Sequence, residues 1–296
     1  MSVPSPSSTL TILDGGLGIT SAGANTSFKV GVSSAGTAGS FYSYAGSDTA
    51  LVVSQLGKGP LVDAIITHLL VSKGQPVIAY KQAPSTAGTS TAVTQVGTGP
   101  LVTLSGAPYD QSESIIKITT GGAIGTSQFK YSLDGGDTYS DLLATAATYL
   151  LPNGVTANFA AGTYVVDTTY SWTDTAPVMT STNVGAACDA IIASPYSGEF
   201  VHIVGQAPDA SGALTVATLL STKVISAHAA RKYMFFVFEA PAVDKANIAT
   251  SFASFDDKFV VGVGGFMEYT DEQTSRISKR SAARQIGRAS CRERVS

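Results

Sequence analysis

Charge is scarce in this chain. Aspartate, glutamate, lysine and arginine together make up 13% of the 296 residues, and the net charge is −3. So few cations do not neutralise a phosphate backbone, which excludes nucleic-acid binding as the main activity. Cysteine is nearly absent: Cys188 and Cys291 are the two, too few for a disulfide framework, so the composition fits a reducing compartment. No apolar run approaches the roughly 18 residues that cross a bilayer, and Met1-Ser2-Val3-Pro4-Ser5-Pro6 lacks the basic start and apolar core of a signal peptide, so no membrane role is expected. The three histidines, His68, His202 and His228, fall on separate elements with no metal-ligand spacing, and no G-x-S-x-G elbow marks a nucleophile. A catalytic triad can be assembled from distant positions in any chain, but nothing here points to one. The expectation is no enzyme, no cofactor and no metal.

What the chain does have is periodicity. Leu61, Ile65, Ile66, Leu69 and Leu70 repeat at helical spacing behind Pro60, Gly74 and Pro76 stop the run, and Val77 to Lys81 follows as a strand. The same unit recurs later. Val184, Ala187, Cys188, Ile191 and Ile192 precede the strand Phe200 to Val204; Val216, Leu220, Val224 and Ala227 precede Tyr233 to Phe238; Ile248, Phe252 and Phe255 precede Phe259 to Val263. Strands apolar on both faces that alternate with helices predict an α/β (α+β) core with a mainly parallel sheet, to which Phe28 to Val32 contributes the first strand.

Residues 91–177 interrupt that pattern. The runs 114–119, 127–132, 155–159 and 163–171 are short and alternating, and Gly121-Gly122, Asp134-Gly135-Gly136-Asp137 and Asn153-Gly154 separate them as turns. This predicts an inserted all-β domain that splits the core. From 92 to 178 it carries seven acidic residues against Lys117 and Lys130, so it is expected to project into solvent.

Ser132, Asp134, Gly136, Thr138 and Tyr139 fit the Asp-box pattern S-x-D-x-G-x-T-aromatic, which forms a hairpin turn and occurs once here. The turn is expected to be structural; Asp134 and Asp137 offer too few further oxygen ligands for calcium. The box, together with Trp172 and its neighbouring tyrosines, supports an alternative reading as a carbohydrate-binding or glycan-processing phage protein, although that reading calls for repeated boxes or paired carboxylates. Gly57-Lys58-Gly59-Pro60 is not a phosphate loop, because proline has no N–H to offer and no Ser or Thr follows the lysine. Gly262-Val263-Gly264-Gly265 has no helical stripe behind it and is a weak dinucleotide signal.

Before the core, residues 1–27 read as an arm in which Thr9 to Leu13 alternates as a strand ahead of a Gly/Ser/Ala stretch. Ordering five residues costs roughly 5 to 10 kcal/mol. Five backbone hydrogen bonds return about 1 kcal/mol each, and burial of Leu10 and Ile12 adds roughly 3 to 6 kcal/mol. Such a strand is marginal as a single contact; it pairs either with the chain's own sheet or with a neighbour's, and the latter holds where many contacts act together.

Lys58 to Ala64, Phe129 to Tyr139, Phe159 to Ser171, and Ile192 to Tyr196 leading to Phe200-Val201-His202-Ile203-Val204-Gly205 together resemble a contractile phage tail sheath protein, over roughly residues 10 to 285. The order of the pieces carries this likeness more than any one motif. The resemblance implies a virion structural protein of a contractile, Myoviridae-like tail, assembled in the host cytoplasm. Its partners are then further copies in rings or a helical sheath, the tail tube protein, and the baseplate and tail terminator proteins. It also implies that Leu10, Thr11, Ile12 and Leu13 link subunits by strand addition, and that Arg276, Lys279, Arg280 and Arg284 face the tube or a neighbouring subunit; a solvated helix face is the other reading of that cluster.

Ile286 to Val295 reads like the translation of a short-read sequencing adapter, the alternative being a natural basic tail. On the first reading the natural chain is expected to continue beyond about Gln285. Without the tail, Lys+Arg falls from 18 to 15 and Asp+Glu from 21 to 20, and the net charge becomes −5. The expected organisation is an arm at 1–27, a discontinuous core at 28–90 and 178–275, the insert at 91–177, and the start of a C-terminal segment at 276–285.

Overall fold

The computed structural model describes residues 26–84, 86–206, 210–239, 250, 252, 253, 255–264, 266–271 and 276–281. Its central element is a six-stranded sheet built from β1 (Ser27–Val32), β2 (Ser40–Tyr44), β3 (Val77–Gln82), β14 (Phe200–Gln206), β15 (Phe235–Glu239) and β16 (Val260–Val263). The spatial order is β16-β15-β14-β1-β3-β2. Every neighbouring pair is parallel except β2 with β3. The fold is therefore mixed α/β with a mainly parallel sheet. β1, the first described strand, lies inside the sheet; β14, β15 and β16 follow outward on one side of it, while on the other the chain places β2 at the edge before returning to β3 between β2 and β1.

Strand alternation sends side chains to two faces. Phe28, Val30, Val201, Ile203, Phe236 and Phe238 meet α3 (Ser181–Ala193) and α4 (Ala210–Ala229) through Val184, Ala187, Ile191, Ala217, Leu220 and Val224. Val77, Ala79 and Val204 meet α1 (Thr49–Leu56) and α2 (Pro60–Val71) through Val52, Leu56, Leu61, Ile65 and Leu69. Each fully buried Leu or Ile contributes about 1.5 to 3 kcal/mol, which is why the apolar stripes alone locate α2, α3 and α4. Pro60 occupies the first turn of α2, where no N–H is needed. The Thr180 hydroxyl caps α3 by accepting from the Asn183 N–H. Within α3, burial pushes the Cys188 thiol up to about 12, so it stays an inert core group.

Between β3 and α3 the described chain contains strands and no helix. These are β4 (Thr94–Val96), β5 (Val102–Ser105), β6 (Ser112–Thr120), β7 (Gly122–Ala123), β8 (Gln128–Ser132), β9 (Leu143–Ala144), β10 (Thr148–Leu150), β11 (Thr156–Phe159), β12 (Thr163–Tyr164) and β13 (Thr169–Asp174). They pair among themselves as β4-β13-β6-β8-β9, β10-β11-β5 and β12-β7, and none joins the six-stranded sheet. Ile116, Ile118, Phe129, Tyr170 and Trp172 pack against Val102, Val155, Ala157 and Phe159 in a cluster separate from those of the α/β core. The chain enters and leaves this β region side by side, with Thr86 bonded to Val178 and Thr91 to Thr173.

Several elements differ from the sequence reading. β2 and α1 lie in a stretch where no element was expected: the strand is an uncharged Ser-Phe-Tyr-Ser-Tyr run and the helix has only eight residues. The run 163–171 is two strands, broken where Asp167 adopts φ 65°. β15 starts at Phe235, and Tyr233 ahead of it is exposed. The stripe Ile248, Phe252, Phe255 lies partly outside the described residues; Phe252 is in a turn, and Phe252 and Phe255 pack on the α3/α4 core.

Candidate functional site

Doubly wound sheets commonly bind ligands where neighbouring strands diverge, beyond their carboxyl ends. Here that position lies between β1 and β14, and chain fills it. Lys58 donates to the Pro152 carbonyl at 3.0 Å, Ser34 and Lys58 bond each other, and a Cβ on Gly59 would meet the Tyr109 carbonyl at 3.1 Å and the Val32 carbonyl at 3.3 Å. Gly57-Lys58-Gly59-Pro60 thus fastens the start of α2 to the base of the β region.

A cluster of charged side chains sits beneath α2. Lys29 on β1 and His202 on β14 are fully buried, Glu239 at the end of β15 is 1% exposed, and His68 on α2 is 4% exposed. Parallel register sets Lys29 opposite His202. Lys29 Nζ lies 3.2 Å from His202 Nδ1, and His202 Nε2 lies 3.4 Å from Glu239 Oε1. At the far end the Gly205 N–H donates to Glu239 Oε2 at 3.1 Å, from a stretch where the β14–β15 register shifts and Gly205 takes φ 114°. Burial brings Lys29 down to about 7, partly offset by the Glu239 charge. Burial, then the Lys29 charge, brings His68 down to about 3. The sequence reading kept His68 and His202 apart and did not single out Lys29 or Glu239. The available signal was a charge inside runs apolar on both faces, in three strands that the fold makes neighbours: Phe28-Lys29-Val30, Val201-His202-Ile203 and Phe238-Glu239.

In the β region the organising charge is Asp174, fully buried at the end of β13. Ser112 and Ser114 donate to it at 2.7 Å each, Asn153 Nδ2 at 2.8 Å and Trp172 Nε1 at 3.1 Å, and Ser90 Oγ donates as well. The donors come from the entering strand, β6, the β10–β11 turn and β13, so one carboxylate ties the base together. Asp110 and Asp134 are buried too. The acidic character of this segment is therefore partly internal, where the composition suggested an exposed acidic surface.

The Asp box forms the turn after β8. Ser132 Oγ donates to Asp134 Oδ1 at 2.6 Å and accepts from the Gly136 N–H at 2.8 Å, and Asp134 accepts from the Thr138 N–H and hydroxyl. These bonds use the Asp134 oxygens locally. Tyr139 is half-exposed, whereas Trp172 and Tyr170 are buried in the β core and present no face to a sugar.

Leu10, Thr11, Ile12 and Leu13 lie outside the described residues, as does Arg284. Arg276, Lys279 and Arg280 fall in β18 (Arg276–Ser281), a strand where a helix face was the alternative reading, paired antiparallel with β17 (Phe266–Asp271). The register sets Arg276 opposite Asp271, Lys279 opposite Glu268 and Arg280 opposite Met267. The expected boundary at 275/276 falls between these two strands. Among the described residues no third strand joins them, and β2 and β16 are edges with one neighbour each. No group of acidic, histidine or cysteine side chains suited to a metal ion occurs among the described residues. No helix among them is long and apolar enough to cross a membrane.

The sequence matches no described protein family and no curated protein. Solved structures that align with the chain include two sheath tail proteins. The sheath tail protein from Desulfitobacterium hafniense aligns with a TM-score of 0.38 and 15% identity over 88% of this chain and 56% of that one. A sheath tail protein from Listeria innocua aligns with a TM-score of 0.35 and 12% identity over 90% of this chain and 55% of that one. The chain thus spans little more than half the length of either protein.

Proposed function

We propose that the chain is a structural subunit of a contractile phage tail sheath, which polymerises around the tail tube and shortens to drive genome delivery. The observation that carries this reading is the ribbon β17–β18. Two strands alone are marginal in water, and among the described residues neither outer edge of this ribbon has a partner. Strands from neighbouring copies complete such a ribbon, and Leu10, Thr11, Ile12 and Leu13 are the segment we assign to that role. Arg276, Lys279, Arg280 and Arg284 then contact the tube or the next subunit.

On this reading residues 28–90 and 178–275 form the core, and residues 91–177 are an inserted domain fastened by Asp174 and Lys58. Further copies, the tube, the baseplate and the terminator are the partners, and the chain is structural, with no catalytic role. Contraction is a rigid-body rotation of subunits about their arms, driven by energy stored in contacts between them. The glycan-binding alternative loses support because Trp172 is internal and bonded to Asp174.

Deleting residues 1–20 tests the arm. Sedimentation velocity is expected to show a folded monomer that no longer polymerises; polymers of unchanged size would overturn the assignment.

A further inference from the structure

We infer that Lys29, His202 and Glu239 form a one-proton latch beneath α2, which holds that helix and the base of the β region near neutral pH and loosens both when a second proton enters. The imidazole lies between an amine 3.2 Å from Nδ1 and a carboxylate oxygen 3.4 Å from Nε2. One proton shared by Lys29 and His202 balances the Glu239 carboxylate. It rests either on the amine, with neutral His202 accepting at Nδ1, or on the imidazole, with the neutral amine accepting from Nδ1–H. Both arrangements are net neutral and keep the amine–imidazole bond, with the Glu239 oxygen 3.4 Å from Nε2 as the balancing charge. A second proton makes Lys29 and His202 cations together, so two donors face each other across 3.2 Å in a dry site and the bond between them is lost.

No other group nearby absorbs that charge. The titratable side chains on the elements packed there are Asp63 and His68 on α2, Tyr80 and Lys81 on β3, and Tyr42 and Tyr44 on β2; α1 carries none. Lys81 is tied to the Gly36 carbonyl, and His68, held neutral by burial, adds repulsion if it protonates. On the opposite face, Lys223 of α4 is paired with Asp189. A cleft lined by Met179, Val184, Val216, Gly205 and Phe238 reaches Glu239 and gives protons a route to the cluster. The strain falls on α2, whose side chains roof the site and whose N-terminal end holds Pro152 through Lys58 and abuts Tyr109. Charge under the helix thus reaches the base of the β region within one rigid element.

Amide hydrogen exchange of the full chain, read by mass spectrometry at about pH 6, where the first proton is in place, and at about pH 4, and corrected for intrinsic rates, tests this. Amides of residues 60–71 and 107–111 are expected to lose protection about tenfold or more at the lower pH, while β6 and β13 keep theirs. In a His68→Leu background, which removes the acid response of His68 itself, Lys29→Met is expected to abolish the difference, because His202 alone then balances Glu239. If that variant does not fold, Glu239→Gln is expected to move the loosening to higher pH, since the first proton is then already unbalanced. Protection of α2 that is independent of pH, or lost equally across the whole chain, would overturn the latch.

Discussion

In the α/β core a lysine, a histidine and a glutamate share one buried site, whereas in the β region a single carboxylate, Asp174, is surrounded by neutral donors from Ser90, Ser112, Ser114, Asn153 and Trp172. The difference lies in what each arrangement tolerates. Opposite charges in a dry site cancel, so the set can be replaced by apolar groups of the same shape with little loss. A carboxylate held by neutral hydroxyl, amide and indole donors is harder to replace, because without it the buried Trp172 N–H loses its acceptor and Ser112, Ser114 and Asn153 keep only the bonds among themselves. The core cluster is thus a site of adjustable charge, and Asp174 is a fixed rivet.

The comparison breaks most visibly at the rivet. Asp174→Ala is expected to cost about 3 to 5 kcal/mol, read as a lower urea midpoint and a lost near-ultraviolet signal from Trp172, the one tryptophan. A loss below 1 kcal/mol would mean that the donors find other partners. Acid gives the next largest effect. His68 stands at about 3 in the folded chain against the ordinary 6.5, so the unfolded chain binds the extra proton between those values. Stability is therefore lost as pH falls from about 6.5 towards 3, by roughly 2 to 4 kcal/mol for this group. His68→Leu is expected to flatten that limb in urea titrations across pH. Lys29→Met is expected to stay within about 1 kcal/mol of the parent at neutral pH, and a loss as large as that at Asp174 would erase the contrast between the regions. Lys117 and Asp167, 3.0 Å apart but largely exposed, give the smallest effect: Lys117→Met is expected to change stability by less than about 0.5 kcal/mol.

The two regions also differ in how far their sequence reveals them. α2 was readable to the residue, because Pro60 fixes its start and a stripe of large aliphatics fixes its face. β14 and β3 were readable because both faces of a central parallel strand are apolar. β2 and α1 were not: five uncharged residues flanked by serine, glycine and alanine carry no distinctive alternation, and eight residues are too few for a helical period to stand out. In the β region the turns were legible from Gly and Asn, yet the strand before Trp172 was drawn too long because nothing local marks Asp167 as a left-handed break. The charged sites were the least legible. Lys29 and Glu239 are 210 residues apart, and only the strand order brings them to the same imidazole. Asp174 reads in sequence like any other acid of a polar hairpin.

Assembly is the central claim, and negative-stain electron microscopy of the purified chain tests it most directly. The account predicts regular hollow tubes or stacked rings; compact monomers alone would contradict it.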